Sequence, residues 1–176
     1  HKESVDYPFA GLQKLTRGLR RGEIVTFCAG SGIGKSQVCR VITHHVLKNT
    51  EQKVGYIALE ESIDRTALGI IGIEMNKQLH LDPYNADDEF KAAYQRTIGS
   101  GRFFLYDHFG STEGENLLSR IRFLAKCYGV QFVVLDHLSV VVSGLTGGEG
   151  ERKMIDIIMT KLRTVSYTHL RAHETL

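Results

Sequence analysis

The stretch Ala29-Gly30-Ser31-Gly32-Ile33-Gly34-Lys35-Ser36 constrains the fold more than any other part of the chain. It follows an apolar run, Glu23-Ile24-Val25-Thr26-Phe27-Cys28, and precedes a helix-like segment, Gln37-Val38-Cys39-Arg40-Val41-Ile42. The order predicts a buried strand over 23–28, a glycine-rich turn and a helix N-terminus, which is the setting of a phosphate-binding loop. Glycines let successive backbone N–H groups converge on an anion, and the helix end adds partial positive charge. Lys35 suits the β- and γ-phosphates of a nucleotide, and the Ser36 hydroxyl suits Mg²⁺. Ala29 stands where such loops usually carry their first glycine, so an ordinary backbone conformation is expected there. The alternative for the stretch is a plain glycine-rich turn.

Length and composition bound the rest. A chain of 176 residues is one domain with room for a core, and 42% hydrophobic with 24% charged residues is ordinary for a globular protein. A net charge of +2 is too small to argue for nucleic acid and does not exclude it. Cys28, Cys39 and Cys127 form no C-x-x-C pair and suit a reducing cytoplasm. No apolar run reaches membrane-spanning length, and no signal-peptide pattern is visible. The first residue is His1 rather than Met, which reads as a fragment or processed product.

Residues 1–22 read as a turn-rich lead-in, with Arg20 and Arg21 expected in solvent. From 36 to 47, Val38, Val41, Ile42, Val46 and Leu47 recur at helical spacing. His44 and His45 have no cysteine or acid at metal spacing and are expected at the surface. Further strands are predicted over 54–59, 102–106 and 131–135, each ending in an acid: Glu60, Asp107 and Asp136. Between them fall helices over 62–71, capped by Ser62, over 89–98 and over 112–128. Continuous apolar strands separated by helices predict an α/β fold, a parallel sheet covered on both faces. Right-handed crossovers then set the strand C-termini along one edge, where ligands bind. Four glycines within 143–150 mark a loop, and Met154, Ile155, Ile158 and Leu162 share a helical face beyond it. The final stretch, 166–176, continues neither pattern and reads as a foreign or frameshifted tail, which leaves 23–165 as the core.

Nucleoside triphosphate hydrolysis needs a phosphate cradle, a metal clamp and a base for water. Asp136, at the end of an apolar strand as in a Walker B element, suits the clamp; capping the following turn is its alternative role. His137 follows it instead of an acid, so the base must come from elsewhere. Glu60 and Glu61 end the strand after the phosphate-loop helix; Glu60 is the candidate base and Glu61 the capping partner, with helix-start charges favoured by the dipole the alternative for both. Asp107 and His137 are open between chemistry and simple hydrogen bonding. The 143–150 loop with Arg152 and Lys153 suits either a polyanion contact or a plain connection.

Together, Ala29–Ser36, Leu59-Glu60-Glu61-Ser62 and Val134-Leu135-Asp136-His137-Leu138-Ser139 resemble the replicative ring helicases of the DnaB-like family. Gly150-Glu151-Arg152-Lys153-Met154-Ile155-Asp156 is especially similar to the helicase domains of phage primase–helicases, with mitochondrial Twinkle also alike. The resemblance runs from about Phe9 to Arg163. It implies a RecA-like core in a hexameric ring on single-stranded DNA, hydrolysing ATP or another nucleoside triphosphate with Mg²⁺ and translocating 5′ to 3′. It implies nucleotide contacts from Ala29, Gly30, Ser31, Gly32, Ile33, Gly34, Lys35 and Ser36, catalysis by Lys35 and Glu60, and metal ligation by Ser36 and Asp136. Primase and DNA polymerase are the implied partners, and the cytoplasm or the mitochondrial nucleoid the implied location. Family members also carry a γ-phosphate sensor and an arginine finger that cannot be placed in this sequence. Such a finger is worth on the order of 10³–10⁵ in rate in other NTPases, so this chain alone is expected to hydrolyse nucleotide poorly. A RecA-like recombinase, or a nucleotide-binding module without unwinding activity, is the alternative.

Overall fold

The structure, a computed structural model, describes residues 4–30, 32–79, 81, 84–107, 114–138 and 150–170. A short antiparallel pair, β1 (Ser4–Val5) and β2 (Leu19–Arg20), brackets helix α1 (Ala10–Thr16). Helix α2 (Lys35–Asn49) leads to strand β3 (Val54–Ala58) and helix α3 (Ile63–Met75). Helix α4 (Asp88–Arg96), a 3-10 turn at Ile98–Ser100 and strand β4 (Phe103–Asp107) follow. Helix α5 (Gly114–Tyr128), strand β5 (Phe132–Asp136) and helix α6 (Glu151–His169) complete the described elements.

The three longer strands form a parallel sheet in the order β4-β3-β5. Alternate residues of a strand face opposite sides, and here the two sides build two cores. Val54, Tyr56 and Ala58, with Phe103, Leu105, Phe132 and Val134, pack against Ile42, Val46 and Leu47 of α2. Ile57, with Phe104, Tyr106, Val133 and Leu135, packs against Leu117, Leu118, Ile121 and Leu124 of α5 and Ile158 of α6. The sheet is thus covered on both faces, which is why its strands read as continuous apolar runs. Parallel register aligns the strand ends: Ala58 lies opposite both Asp107 and Asp136.

The local signals explain most element boundaries. Ser62 Oγ accepts from Arg65 N at 3.3 Å and starts α3, and Asp87 Oδ1 accepts from Phe90 N at 2.9 Å and starts α4. Two expectations are corrected. The strand predicted over 23–28 does not form: the segment is irregular, and Ile24, Val25 and Phe27 are 36–43% exposed. A strand needs a hydrogen-bonded neighbour about 4.8 Å away. Instead, a cavity of about 290 Å³ separates residues 22–27 from β5, with Met159, Leu162, Ser166 and Leu170 of the last helical stretch also at its wall. The end of regular structure is also later than the pattern suggests, because α6 continues through Ser166 to His169. Nothing in Ser166-Tyr167-Thr168-His169 breaks a helix, and Ser166 is buried with its Oγ donating to Gly22 O at 3.0 Å.

Candidate nucleotide site

The loop that opens α2 has the backbone its sequence requires. Gly32 and Gly34 take φ of +75° and +93°, the region that glycine alone enters without strain, while Ala29 stays out of it. Gly34 is the N-cap of α2, so the helix begins at Lys35 with Ser36 in its first turn. The Lys35 ammonium folds back over the loop and donates to Ala29 O at 3.1 Å. Gly30, Gly32, Ile33 and Gly34 are exposed around it, and Ser31 lies outside the described residues. A concave main-chain turn at a helix N-terminus, with one ammonium resting on a carbonyl, fits a phosphate group. The hydroxyl of Ser36 and the carboxylate of Asp136 are hard oxygen donors of the kind Mg²⁺ prefers.

The parallel ladder brings the other candidates to the same edge. Leu59 N donates to Asp136 O at 2.8 Å, which carries the pairing with β5 one residue past the end of β3. Glu60 and His137 therefore face one another, with Oε2 and Nε2 2.7 Å apart. Asp136 is 4% exposed, and its Oδ2 accepts from the Tyr56 hydroxyl at 3.1 Å. Lys35, Cys39, Asp136 and His137 all line the cavity beside β5. Asp107 ends β4 in the same row, on the far side of β3. The loop 143–149, the candidate polyanion contact, lies outside the described residues, and Arg152 and Lys153 are exposed in the first turn of α6.

The two adjacent glutamates are separated by their partners. Glu61 pairs with Arg40 of α2 and, at 3.6 Å, with Arg65 of α3. Arg40 is only 4% exposed and lies across Gly69, where an added Cβ would meet its Nε at 2.7 Å. Glu61 is thus bound into the α2–α3 contact, and Glu60, 56% exposed, faces the site.

Burial raises the pKa of two groups next to Asp136. The Cys39 thiol is pushed up to about 12 by burial first and by the Asp136 charge second, against a smaller pull from Arg40. The Tyr56 phenol is raised for the same two reasons, burial again the larger, so it stays a neutral O–H donor. One further expectation is corrected: His44 is not a surface residue. It is 12% exposed and pairs with Glu74 of α3 at 2.6 Å. Arg20 is also half-buried, donating to Thr16 O at 3.1 Å. Sequence reasoning missed Tyr56, Arg40 and Glu74. A hydroxyl inside an apolar strand run was the available signal for Tyr56; the other two gave none.

Residues 4–168 match the model of the DnaB-like helicase C terminal domain. A DNA helicase/primase of Enterobacteria phage T3 is 35% identical over 158 residues, 87% of this chain and 28% of the phage protein. The replicative DNA helicase DnaB of Geobacillus stearothermophilus is 20% identical over 161 residues, 90% of this chain and 36% of that protein. The chain therefore spans 28–36% of the length of these curated relatives.

Proposed function

Since the chain belongs to the DnaB-like helicase C-terminal domain family, we propose that it is the RecA-like ATPase core of a replicative DNA helicase. In this reading, nucleoside triphosphate hydrolysis drives 5′–3′ movement on single-stranded DNA and duplex unwinding. The observation that supports it is the parallel register: Ala58 pairs with Asp136, Glu60 two residues on meets His137, and Lys35, Asp136 and His137 line one cavity.

The residues then divide the work. Main-chain N–H groups of residues 29–36 and the Lys35 ammonium hold the phosphates of ATP or a related triphosphate. Ser36 and Asp136 hold Mg²⁺. The ion, when bound, neutralises charge building on the β- and γ-phosphates. Glu60 accepts the proton of the attacking water as general base. The site is completed by neighbouring copies in a ring, six in the family's usual arrangement. A primase, the activity named beside helicase in the phage relative, and a DNA polymerase are the working partners, in the cytoplasm of a bacterial or phage-infected cell. Among the described residues, no helix is long and apolar enough to cross a membrane.

The binding half of this reading is testable on the chain itself. Lys35→Ala removes a charge-assisted contact, so affinity for a fluorescent ATP analogue with Mg²⁺ is expected to fall by about 10²-fold. Equal affinity in parent and variant rules out the phosphate role. The isolated chain is expected to show little hydrolysis; vigorous unwinding by it would overturn the need for neighbouring subunits.

A further inference from the structure

Tyr56 is the middle residue of β3, wholly buried, in a strand whose other residues are aliphatic or small. Its register partner on β5 is Val134, two residues before Asp136, so all three share the α2 face of the sheet. Two residues along a strand is about 6.6 Å, the span a tyrosine side chain covers from its backbone to its hydroxyl. Phenylalanine would fill the same core volume but leave Asp136 without this donor. The ring is fixed by its surroundings: it packs among Ile42, Val46 and Leu47 and tilts against Phe103 at 6.3 Å between centroids. Its hydroxyl is therefore held at one point, 3.1 Å from Oδ2 of Asp136.

We propose that Tyr56 is a positioning residue for the metal site, its hydroxyl tying down one oxygen of the buried Asp136 carboxylate so that the other is presented to the cation. This rests on the assignment of Asp136 to Mg²⁺ made above. A buried carboxylate swings between rotamers unless something holds it, and a neutral donor holds it without cancelling the charge the cation needs. A lysine or arginine there would compete with the ion; a phenol does not. Hydrogen-bond partners of metal ligands commonly change metal affinity by 10–100-fold when removed.

The test is a Mg²⁺ titration of fluorescent ATP-analogue binding to the 176-residue chain, with parent, Tyr56→Phe, Asp136→Asn and the double variant. Expected is nucleotide affinity without metal close to the parent in Tyr56→Phe, with half-saturating Mg²⁺ raised about 10-fold. In the Asp136→Asn background, removing the hydroxyl should change nothing further. Normal Mg²⁺ dependence in Tyr56→Phe but not in Asp136→Asn overturns this proposal alone. Parent-like titration of Asp136→Asn overturns the metal role of Asp136 and this proposal with it. An equal loss from Tyr56→Phe in both backgrounds shows a packing effect and also overturns it. If Tyr56→Phe does not fold, the ¹³Cζ resonance of labelled Tyr56 decides: it should move when Mg²⁺ is added to the nucleotide complex of the parent. An unmoved resonance overturns the proposal.

Discussion

Helix α2 presents basic side chains at both ends, and the two ends are built differently. At its C-terminal half, His44 and Lys48 converge on Glu74 of α3, at 2.6 and 3.7 Å, and Arg96 of α4 joins them at 2.6 Å. Glu74 is 9% exposed and both of its oxygens are engaged. At the N-terminal end, Lys35 rests on a main-chain carbonyl in an exposed loop, and Asp136 takes one neutral hydroxyl among the described residues. A carboxylate with both oxygens engaged by basic side chains is a clamp between helices. One held by a single neutral donor keeps capacity for a metal, and a lysine on a carbonyl keeps its charge for an anion. Partners, rather than residue type, separate structure from chemistry here.

The largest effect expected from breaking this contrast is at the open end. Glu60→Gln keeps shape and removes the proposed base, so DNA-stimulated hydrolysis should drop by about 10²–10⁴-fold. The measurement belongs in a protein carrying this chain with the remaining length its relatives have; unchanged turnover would sink the assignment, while stability should stay near the parent's. At the closed end the result should be the reverse. Glu74→Gln leaves His44, Lys48 and Arg96 facing a neutral amide, and denaturant unfolding should show a loss of about 3 kcal/mol, with Mg²⁺-nucleotide affinity little changed.

That stabilisation carries a pH signature. Burial alone would raise the Glu74 pKa, but hydrogen bonds from His44 and Arg96 and the charge of Lys48 outweigh it and hold the group below its ordinary 4.5. A depressed folded-state pKa means the stabilisation is present above 4.5 and is lost as pH falls through the lower folded value. The gap between parent and Glu74→Gln should therefore be full at neutral pH and narrow progressively below 4.5. A gap that widens on acidification would contradict the cation clamp. The smallest effect is expected at Arg65, 55% exposed and 3.6 Å from Glu61. Arg65→Ala should cost no more than about 0.5 kcal/mol, because the buried Arg40 holds the same carboxylate.

The contrast also explains what the sequence made visible. The phosphate loop, the apolar runs of β3, β4 and β5 and the Ser62 cap are local patterns, set by residues within a few positions of one another, and the structure contains them. Partners distant in sequence are a different matter. Glu74 is 30 residues from His44, and Tyr56 is 80 from Asp136. No spacing rule connects them until the helices and the sheet have packed. The 23–28 segment failed for a related reason: apolar composition states what a strand wants to bury, but pairing depends on a neighbour beside it. Glu60 and Asp136 could be expected on one edge because Glu60 follows β3 by two residues and Asp136 ends β5, and parallel strand ends align by construction.

That alignment has a consequence for how such a chain tolerates change. The end of β3 that leads to Glu60 is held beside Asp136 by a hydrogen-bond ladder that pairs Ala58 with Asp136, not by the 75 residues between the two acids. Insertions in the connections around α4 can accumulate without moving the two carboxylates. A single residue inserted within β5 would turn every following side chain to the opposite face and put a different residue beside Glu60. Length is therefore negotiable almost everywhere between the two acids except along the five residues of β5 itself.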